Sequence, residues 1–385
     1  MDARRKAAVV LAGFSAFLVL YAPQPLLPAL AREFGLSAAR AGLLVSVPTL
    51  AVALAAPFVG LLADRFGRKN IIVPATLLLA LPTLAAATSS GYSQLLFWRF
   101  LQGVLTPGIF AVTVAYINEE WHDGVGAAMA AYVSGTVLGG FTGRTLSAFI
   151  ATHASWRTAF AVLGVLNLAS GLAIWRWLPP GRRFVVGPAS RPVGPIILRH
   201  LRNPQLLATY TAGFCVLFAM MAAFTYVNFH LAAAPFHLNT SQLGLVFGVF
   251  LVGALVTPFA GHWIDRLGNR IAIVLAFSAG IGGSALTLIP SLLAVMAGLT
   301  LICTGVFVAQ SAATSYIGKV STEGKAAAVG LYVMFYYTGG SAGAALPGLL
   351  WTWGGWTACV ALIAAVQLLT IAVAWKFWSP AAPAR

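Results

Sequence analysis

The chain has 385 residues, of which 60% are hydrophobic and 8% charged, with a formal net charge of +15 and a mean hydropathy of +0.89. Soluble globular proteins carry about 45 to 50% apolar and about 25% charged residues, so this composition excludes a water-soluble enzyme and places the chain in a bilayer. The excess of Lys and Arg would suit a nucleic-acid partner, and its placement along the chain decides against one.

A membrane-spanning helix needs roughly 20 apolar residues, and charged or Pro/Gly-rich breaks divide the chain into twelve such runs. They are predicted at 7–31, 39–63, 71–89, 92–117, 124–152, 156–178, 204–232, 241–263, 271–289, 291–317, 325–351 and 355–378. With the N-terminus inside, 18 of the 23 Lys and Arg fall in cytoplasmic segments, Arg32, Arg40 and Arg157 fall outside, and Arg99 and Arg144 lie within spans. That asymmetry is the positive-inside rule; it orients the chain with both termini cytoplasmic and needs no nucleic acid. The basic start, Arg4-Arg5-Lys6, precedes an apolar run of over twenty residues holding three prolines, so it reads as a span and not as a cleaved signal.

The first span carries Tyr21 and, bracketed by Pro23 and Pro25, Gln24. After the second comes a polar turn, Gly60-Leu-Leu-Ala-Asp64-Arg65-Phe66-Gly67-Arg68-Lys69-Asn70, which returns about two hundred residues later as Gly261-His-Trp-Ile-Asp265-Arg266-Leu267-Gly268-Asn269-Arg270. Gly60 and Gly67 suit a tight turn and a close helix approach. Asp64 suits the positive end of a neighbouring helix. Arg65 and Arg68 have candidate partners in Glu119 and Glu120 at the end of the fourth span. The alternative is that these arginines only anchor topology.

The fourth span contains Arg99 and Gln102, and the fifth contains Arg144 beside Gly135, Gly139 and Gly143. Charge inside a span is costly and marks functional candidates; at 1.5 Å rise per residue both arginines lie roughly 10 to 12 Å below the outer surface. Arg99 either meets substrate or bonds helix carbonyls and Gln24, and Arg144 either meets substrate or snorkels outward. The glycines, four residues apart, form one close-packing face, as do Gly244 with Gly248 and Gly339 with Gly343. Such faces serve either as sliding surfaces between two halves or as static packing within one. Tyr226, Asn228 and His230 on the seventh span, Gln310 on the tenth, and Tyr336 and Tyr337 on the eleventh add polar tips and aromatic walls.

Residues 179–203, rich in Pro, Gly and Arg, link a first half, 1–178, to a second, 204–385. An offset of 200 aligns Tyr116 with Tyr316, Tyr132 with Tyr332, Gly139 with Gly339, Gly143 with Gly343 and Trp156 with Trp356. Six spans per repeat make the repeats parallel. The expected fold is therefore an all-α membrane protein of twelve transmembrane helices in two six-helix bundles.

On these motifs the chain resembles a twelve-helix member of the major facilitator superfamily. The first turn matches that superfamily's signature between helices 2 and 3, and Arg99-Phe-Leu-Gln102-Gly103 is similar to its helix 4 motif. Gly139-Gly140 through Gly143-Arg144 resembles the helix 5 motif of the drug and sugar efflux branches, with Gly140 in place of Pro and Arg144 in place of Gly. Tyr21-Ala-Pro-Gln-Pro25 and Gly143-Arg-Thr-Leu-Ser147 look most like the YnfM-type inner-membrane transporters. The resemblance implies a monomeric secondary transporter working by alternating access, with proton-coupled efflux of a small solute. It also implies a gate in which Asp64 faces the start of helix 11 at Ser321-Thr322-Glu323-Gly324, with Asp265, Arg266 and Gly268 facing Asp123-Gly124.

None of the eight acids falls at mid-membrane in these spans, so an anionic, zwitterionic or neutral solute is expected ahead of a cation. An uncoupled facilitator, an uptake symporter and a lipid flippase are the rivals. No phosphate loop follows Gly318-Lys319 or Gly324-Lys325, and no His, Cys and acid cluster suits a metal. No enzyme, cofactor or metal is expected. Small-molecule substrate, protons and membrane lipids are the expected partners.

Overall fold

The computed structural model describes residues 3–121, 124–181, 193–321 and 324–379, and every regular element among them is helical. The first span is broken into α1 (Ala3–Leu20), a 3-10 turn (Gln24–Leu26) and α2 (Leu27–Phe34). The next five spans are α3 (Ala38–Phe66), α4 (Lys69–Ala87), α5 (Tyr92–Leu105) running on into α6 (Pro107–Glu120), α7 (Val125–His153) and α8 (Trp156–Trp177). A short helix, α9 (Val193–Arg202), leads into α10 (Pro204–Ala232). The remainder is α11 (Thr240–Val246), α12 (Val249–Leu267), α13 (Asn269–Leu286), α14 (Leu292–Val320), α15 (Lys325–Ala345) and α16 (Pro347–Phe377).

Local chemistry sets these boundaries. Ser37 and Ser155 accept from the amides three residues on and so cap α3 and α8, and Asn239 with Gln242 forms a reciprocal capping box on α11. Gly67 and Gly268 end α3 and α12 at φ of +89° and +81°, a backbone region that side chains with a Cβ avoid.

Ten helices among the described residues are long and apolar enough to cross a bilayer, and Thr240–Val256 with Gly261–Leu267, bent by 55°, reads as an eleventh. The span that begins as α15 continues past Leu346 to Gly354 and Gly355, where non-helical backbone splits α16 in two and the last span begins. The twelve expected spans are thus all helical, in two repeats of six.

By its contacts the chain forms two compact units, Met1–Ala189 with Leu238–Phe247, and Ser190–His237 with Gly248–Arg385. The stretch containing α11 keeps company with the first unit because Gly244 lies against Ala148 and Thr145 of α7, and the Thr145 hydroxyl donates to the Gly244 carbonyl at 3.2 Å. Gly248 stands at the junction of α11 and α12.

The glycine faces correct an expectation. A Cβ at Gly135, Gly139 or Gly143 would strike the carbonyls of Val10, Phe14 and Leu18 on α1, and at Gly339 or Gly343 those of Phe214 and Phe218 on α10. These five glycines therefore seat one helix backbone on another inside a single unit and form no sliding surface between halves. The pairs repeat at the 200-residue offset, 139 with 14 and 339 with 214, so the duplication extends to the packing. Gly60 also departs from expectation, since a Cβ on it would meet nothing within 4 Å.

Candidate functional site

Prolines create the site in the first unit. Pro23 lacks the amide that would bond the Val19 carbonyl, which keeps a 3.3 Å bond from the Ala22 amide, and the tightening of the next turn redirects the Gln24 amide to Tyr21 at 3.1 Å, freeing Leu20. On α3, Pro48 frees the Leu44 carbonyl in the same way. Unsatisfied carbonyls in a bilayer each cost several kcal/mol by order of magnitude, about what an isolated buried peptide group costs. Arg99 collects all three: its Nε donates to Leu44 at 3.0 Å, Nη1 to Val19 at 3.1 Å and Nη2 to Leu20. Gln102 accepts from Nη1 and donates to Thr83 Oγ1 at 3.2 Å, which fixes the guanidinium plane. Gly103 admits the backbone of Pro48. Arg99 and Gln102 are both fully buried, and their bonds to α1, α3 and α4 match the structural one of the two roles open to Arg99.

Arg144 occupies the next layer. Its Nε donates to Gln24 Oε1 and its Nη1 to the Gly140 carbonyl, both at 2.7 Å. The guanidinium carbon lies 4.9 Å from the centre of the Tyr21 ring and 5.0 Å from that of Phe247, so the cation sits between two aromatic faces. Ser147, one turn on, donates to the Ala22 carbonyl at 2.8 Å and closes the account of the broken turn. Arg144 is 2% exposed; it does not snorkel to the surface. Tyr21, Gln24 and Arg144 thus meet as expected, while Ser147 and Phe247 were missed. Ser147 lay on the Arg144 face at i+3 spacing and was legible; Phe247, a hundred residues away in an apolar run, gave no local signal.

The second unit arranges its polar tips differently. The Tyr332 hydroxyl donates to Gln310 Oε1 at 2.7 Å, Tyr332 stacks on Tyr336 with ring centres 6.0 Å apart, and Tyr337 meets Tyr336 edge-on at 5.4 Å. Gln310, Tyr336 and Tyr337 are therefore one cluster, organised by Tyr332. Tyr226 donates to the Ala344 carbonyl at 2.7 Å, and Asn228 donates to Phe224 in its own helix at 2.7 Å. Both are fully buried. His230 stacks on Trp356 with ring centres 5.5 Å apart.

At the first polar turn Arg68 bridges two carboxylates, Asp64 at 2.6 Å and Glu119 at 2.6 Å, taking Glu119 through both Nε and Nη2. The hydrogen bond to Glu119 holds the Arg68 guanidinium above its ordinary pKa range, against the opposing effect of partial burial. Two expectations are corrected here. Arg65 packs its guanidinium 5.4 Å from the Phe66 ring, and Glu120 meets Arg5, whose Nη2 lies 3.7 Å from its carboxylate while the Arg5 guanidinium covers Trp121 at 3.8 Å. Arg5 is held by the carboxylate and by the ring together, so the expectation missed it by treating the N-terminal cations as topology signals alone. At the second turn Asp265 and Arg266 are exposed. The Lys319 ammonium donates to Asn269 at 2.6 Å. Asp123 and Glu323, which fall in the helix starts that the two aspartates are expected to face, lie outside the described residues.

The sequence profile of the Major Facilitator Superfamily matches residues 9–233 and 224–385. The chain belongs to the major facilitator superfamily. Its superfamily relatives include the inner membrane transport protein YnfM of Escherichia coli (strain K12), 34% identical over 368 residues that cover 94% of this chain and 87% of that one. The uncharacterized MFS-type transporter YybF of Bacillus subtilis (strain 168) is 32% identical over 364 residues, 94% of this chain and 90% of its own. Among solved structures, a variant of the nucleoside transporter NupG superposes with a TM-score of 0.79 at 14% identity, covering 97% of this chain and 100% of that one. A bacterial homologue of the human lysosomal transporter Spinster, inward-facing and unoccupied, gives 0.77 at 17% identity over 99% and 100%. These likenesses establish the major facilitator fold. The protein is a multi-pass membrane transporter of that superfamily and not an enzyme.

Proposed function

We propose that this transporter moves a small organic solute across the inner membrane by alternating access as a monomer with both termini cytoplasmic, coupled to protons in the efflux direction. Anionic, zwitterionic and neutral polar solutes are favoured over cations. One observation carries the charge preference: the guanidinium of Arg144 is buried beside the broken first span, bonded to Gln24 and Gly140 and flanked by the rings of Tyr21 and Phe247. The described carboxylates, Glu33, Asp64, Glu119, Glu120 and Asp265, all stand in the last turns of their helices. A cation brought to about 5 Å from that fixed charge meets a repulsion of about 3 kcal/mol at an effective dielectric of 20, and an anion gains as much. Arg144 and Tyr21 of the first unit are the residues offered to the solute. Protons travel on the solute or on His230. The bridge from Arg68 to Asp64 and Glu119 serves as the inner gate.

The test is proteoliposomes carrying the full chain and a pH gradient, challenged with matched anionic, zwitterionic and cationic metabolites. Proton-driven accumulation of an anion, lost at least tenfold in Arg144→Ala and partly restored in Arg144→Lys, is the expected result. Transport of cations in preference, or an Arg144→Ala variant that carries the anion as well as wild type, defeats the charge reading. Accumulation independent of the gradient defeats the coupling.

A further inference from the structure

The two polar turns differ in how the space around them is filled. In the first unit the Arg68 guanidinium spans from Asp64 to Glu119, at 2.6 Å from each, and the Arg5 guanidinium covers the Trp121 ring at 3.8 Å. At the repeat offsets of 200 and 201 both arginines give way to amides: Gln205 answers to Arg5 and Asn269 to Arg68. An amide on a short stem stops well before the place a guanidinium reaches. Gln205 and Asn269 line one cleft of about 610 Å³ within the second unit, a volume in the ordinary range of small-molecule sites.

The charges in this cleft are what the exchange leaves behind. Asp265 holds the place of Asp64, is exposed and lines the cleft, but the residue that answers to Arg68 is now neutral. Neither nearby arginine replaces the lost cation. Arg266 corresponds to Arg65, which the first unit carries in addition to Arg68, and the Arg270 guanidinium is drawn to the Trp375 ring at 3.8 Å. Lys319, in the place of Glu119, lines the cleft as well and donates to Asn269 Oδ1 at 2.6 Å. An ammonium has three donors, so Lys319 can hold Asn269 and still receive a carboxylate. Asn269 is fully used, because its Nδ2 donates to the Ala312 carbonyl at 2.8 Å. Asp265 and Lys319 make no ion pair with each other. The cleft thus presents an anion and a cation at separate points. Its wall is braced beside them, where the Ser379 amide donates to the Tyr316 hydroxyl at 2.8 Å and Gln205 donates to Ser379 Oγ at 3.0 Å.

We propose that this cleft binds a small molecule carrying both a guanidinium and a carboxylate, the guanidinium on Asp265 and the carboxylate on Lys319. The guanidinium restores the planar, paired hydrogen bonding to a carboxylate that Arg68 achieves on Glu119 in the first unit. A cation without an acid is repelled by Lys319, and an acid without a cation is repelled by Asp265. Bound there, the molecule links α12 to α14 as Arg68 links α3 to α6, and so stiffens the second turn. The proposal does not depend on which solute is transported or in which direction.

The test is calorimetric titration of the full chain in detergent with 4-guanidinobutyrate, with agmatine, which has the guanidinium and no acid, and with butyrate, which has the acid alone. The zwitterion should bind saturably and at least tenfold more tightly than either, the equivalent of one charge-assisted hydrogen bond. Asp265→Asn should weaken it about tenfold by the same reckoning. Lys319→Gln should erase its advantage over agmatine. Asn269→Arg, which rebuilds the first unit's arrangement in the second, should remove binding. No saturable binding below roughly 10 mM, the weak end of specific affinity, overturns the proposal, as does equal binding of agmatine or butyrate. Undiminished binding in Asp265→Asn or in Asn269→Arg places the ligand elsewhere and overturns it too, and so does an advantage over agmatine that survives Lys319→Gln. Should Asn269→Arg fail to fold, Asp265→Asn, a change at an exposed side chain, decides alone.

Discussion

The first and seventh spans stand at equivalent places in the two repeats and are built in opposite ways. α10 runs unbroken for 29 residues, whereas its counterpart stops at Leu20 and resumes as a 3-10 turn and α2. At the 200-residue offset Pro23 answers to Ala223, Arg99 to Leu299, Gln102 to Ile302 and Arg144 to Ala344. Leu299 and Ile302 are buried like the polar pair they match. The break and the buried arginines therefore come and go together. A helix that keeps its own hydrogen bonds needs apolar neighbours, and one that loses them needs donors from outside.

The strongest way to break this comparison is to give the first half the second half's residue. Arg99→Leu orphans the carbonyls of Leu20 and Leu44, at about 1 to 3 kcal/mol each, and leaves that of Val19 with the Ala22 amide alone, so the detergent-solubilised protein should lose several degrees or more of thermal midpoint or fail to accumulate. The mirror control, Leu299→Ala, leaves a cavity alone and should cost about 2 to 5 kcal/mol without exposing polar backbone. If Arg99→Leu is the milder of the two, the account of the break is wrong. Next in size is the glycine seat: Ala at Gly139 or Gly339 presses on a backbone carbonyl in either half and should cost about 1 to 3 kcal/mol. Ala at Gly60 has open space and should add roughly 0.5 to 1 kcal/mol of helix stability. Melting curves of the three variants side by side would sharpen or refute the contrast.

Much of the fold was legible in the sequence, because spans, repeats and polar turns are properties of contiguous runs. Parts of the site were legible for the same reason: Gln24 between two prolines and Arg144 among glycines announce a bent helix and a charge. Partner identity was not legible. Glycines four residues apart reveal a flat helix face and not the helix that lies on it, so α1 could not be told from a helix of the other half. Glu120 followed a simple matching of acids to the nearest bases, and that matching failed because Arg5 is also drawn by the ring of Trp121. Arg99 was open between two roles, and only the positions of three carbonyls decide between them.

The polar turns sharpen the comparison at smaller scale. Where the first half has Asp64, Arg68 and Glu119, the second has Asp265, Asn269 and Lys319, and the bidentate ion pair becomes a single ammonium-to-amide bond. Glu119→Gln should therefore weaken stability by about 0.2 to 1 kcal/mol, with an effect that fades in high salt, and Lys319→Gln should show less salt dependence. Asp64→Asn should alter the labelling of introduced cysteines along with transport; unchanged labelling and unchanged transport would remove the turn from the gating account.

Arg68 is a base whose folded-state pKa is raised, so its stabilising effect is complete below its unfolded value and is lost only as pH climbs beyond the folded value. The stability difference between wild type and Arg68→Gln should be flat between roughly pH 6 and pH 9. A slope in that window would place the proton on another group.

The bend in the first span has a mechanical consequence. A proline break with loose carbonyls is a swivel, but here the carbonyls of Val19 and Leu20 are held by a side chain of α5 and that of Ala22 by a side chain of α7. The joint is set like a splinted bone. Residues 21–34 cannot turn relative to α7 without parting the buried bonds from Ser147 to Ala22 and from Arg144 to Gln24 at once, so any stroke made by α7 carries the outer end of the first span, Tyr21 and Gln24 included, as cargo on the same rigid arm.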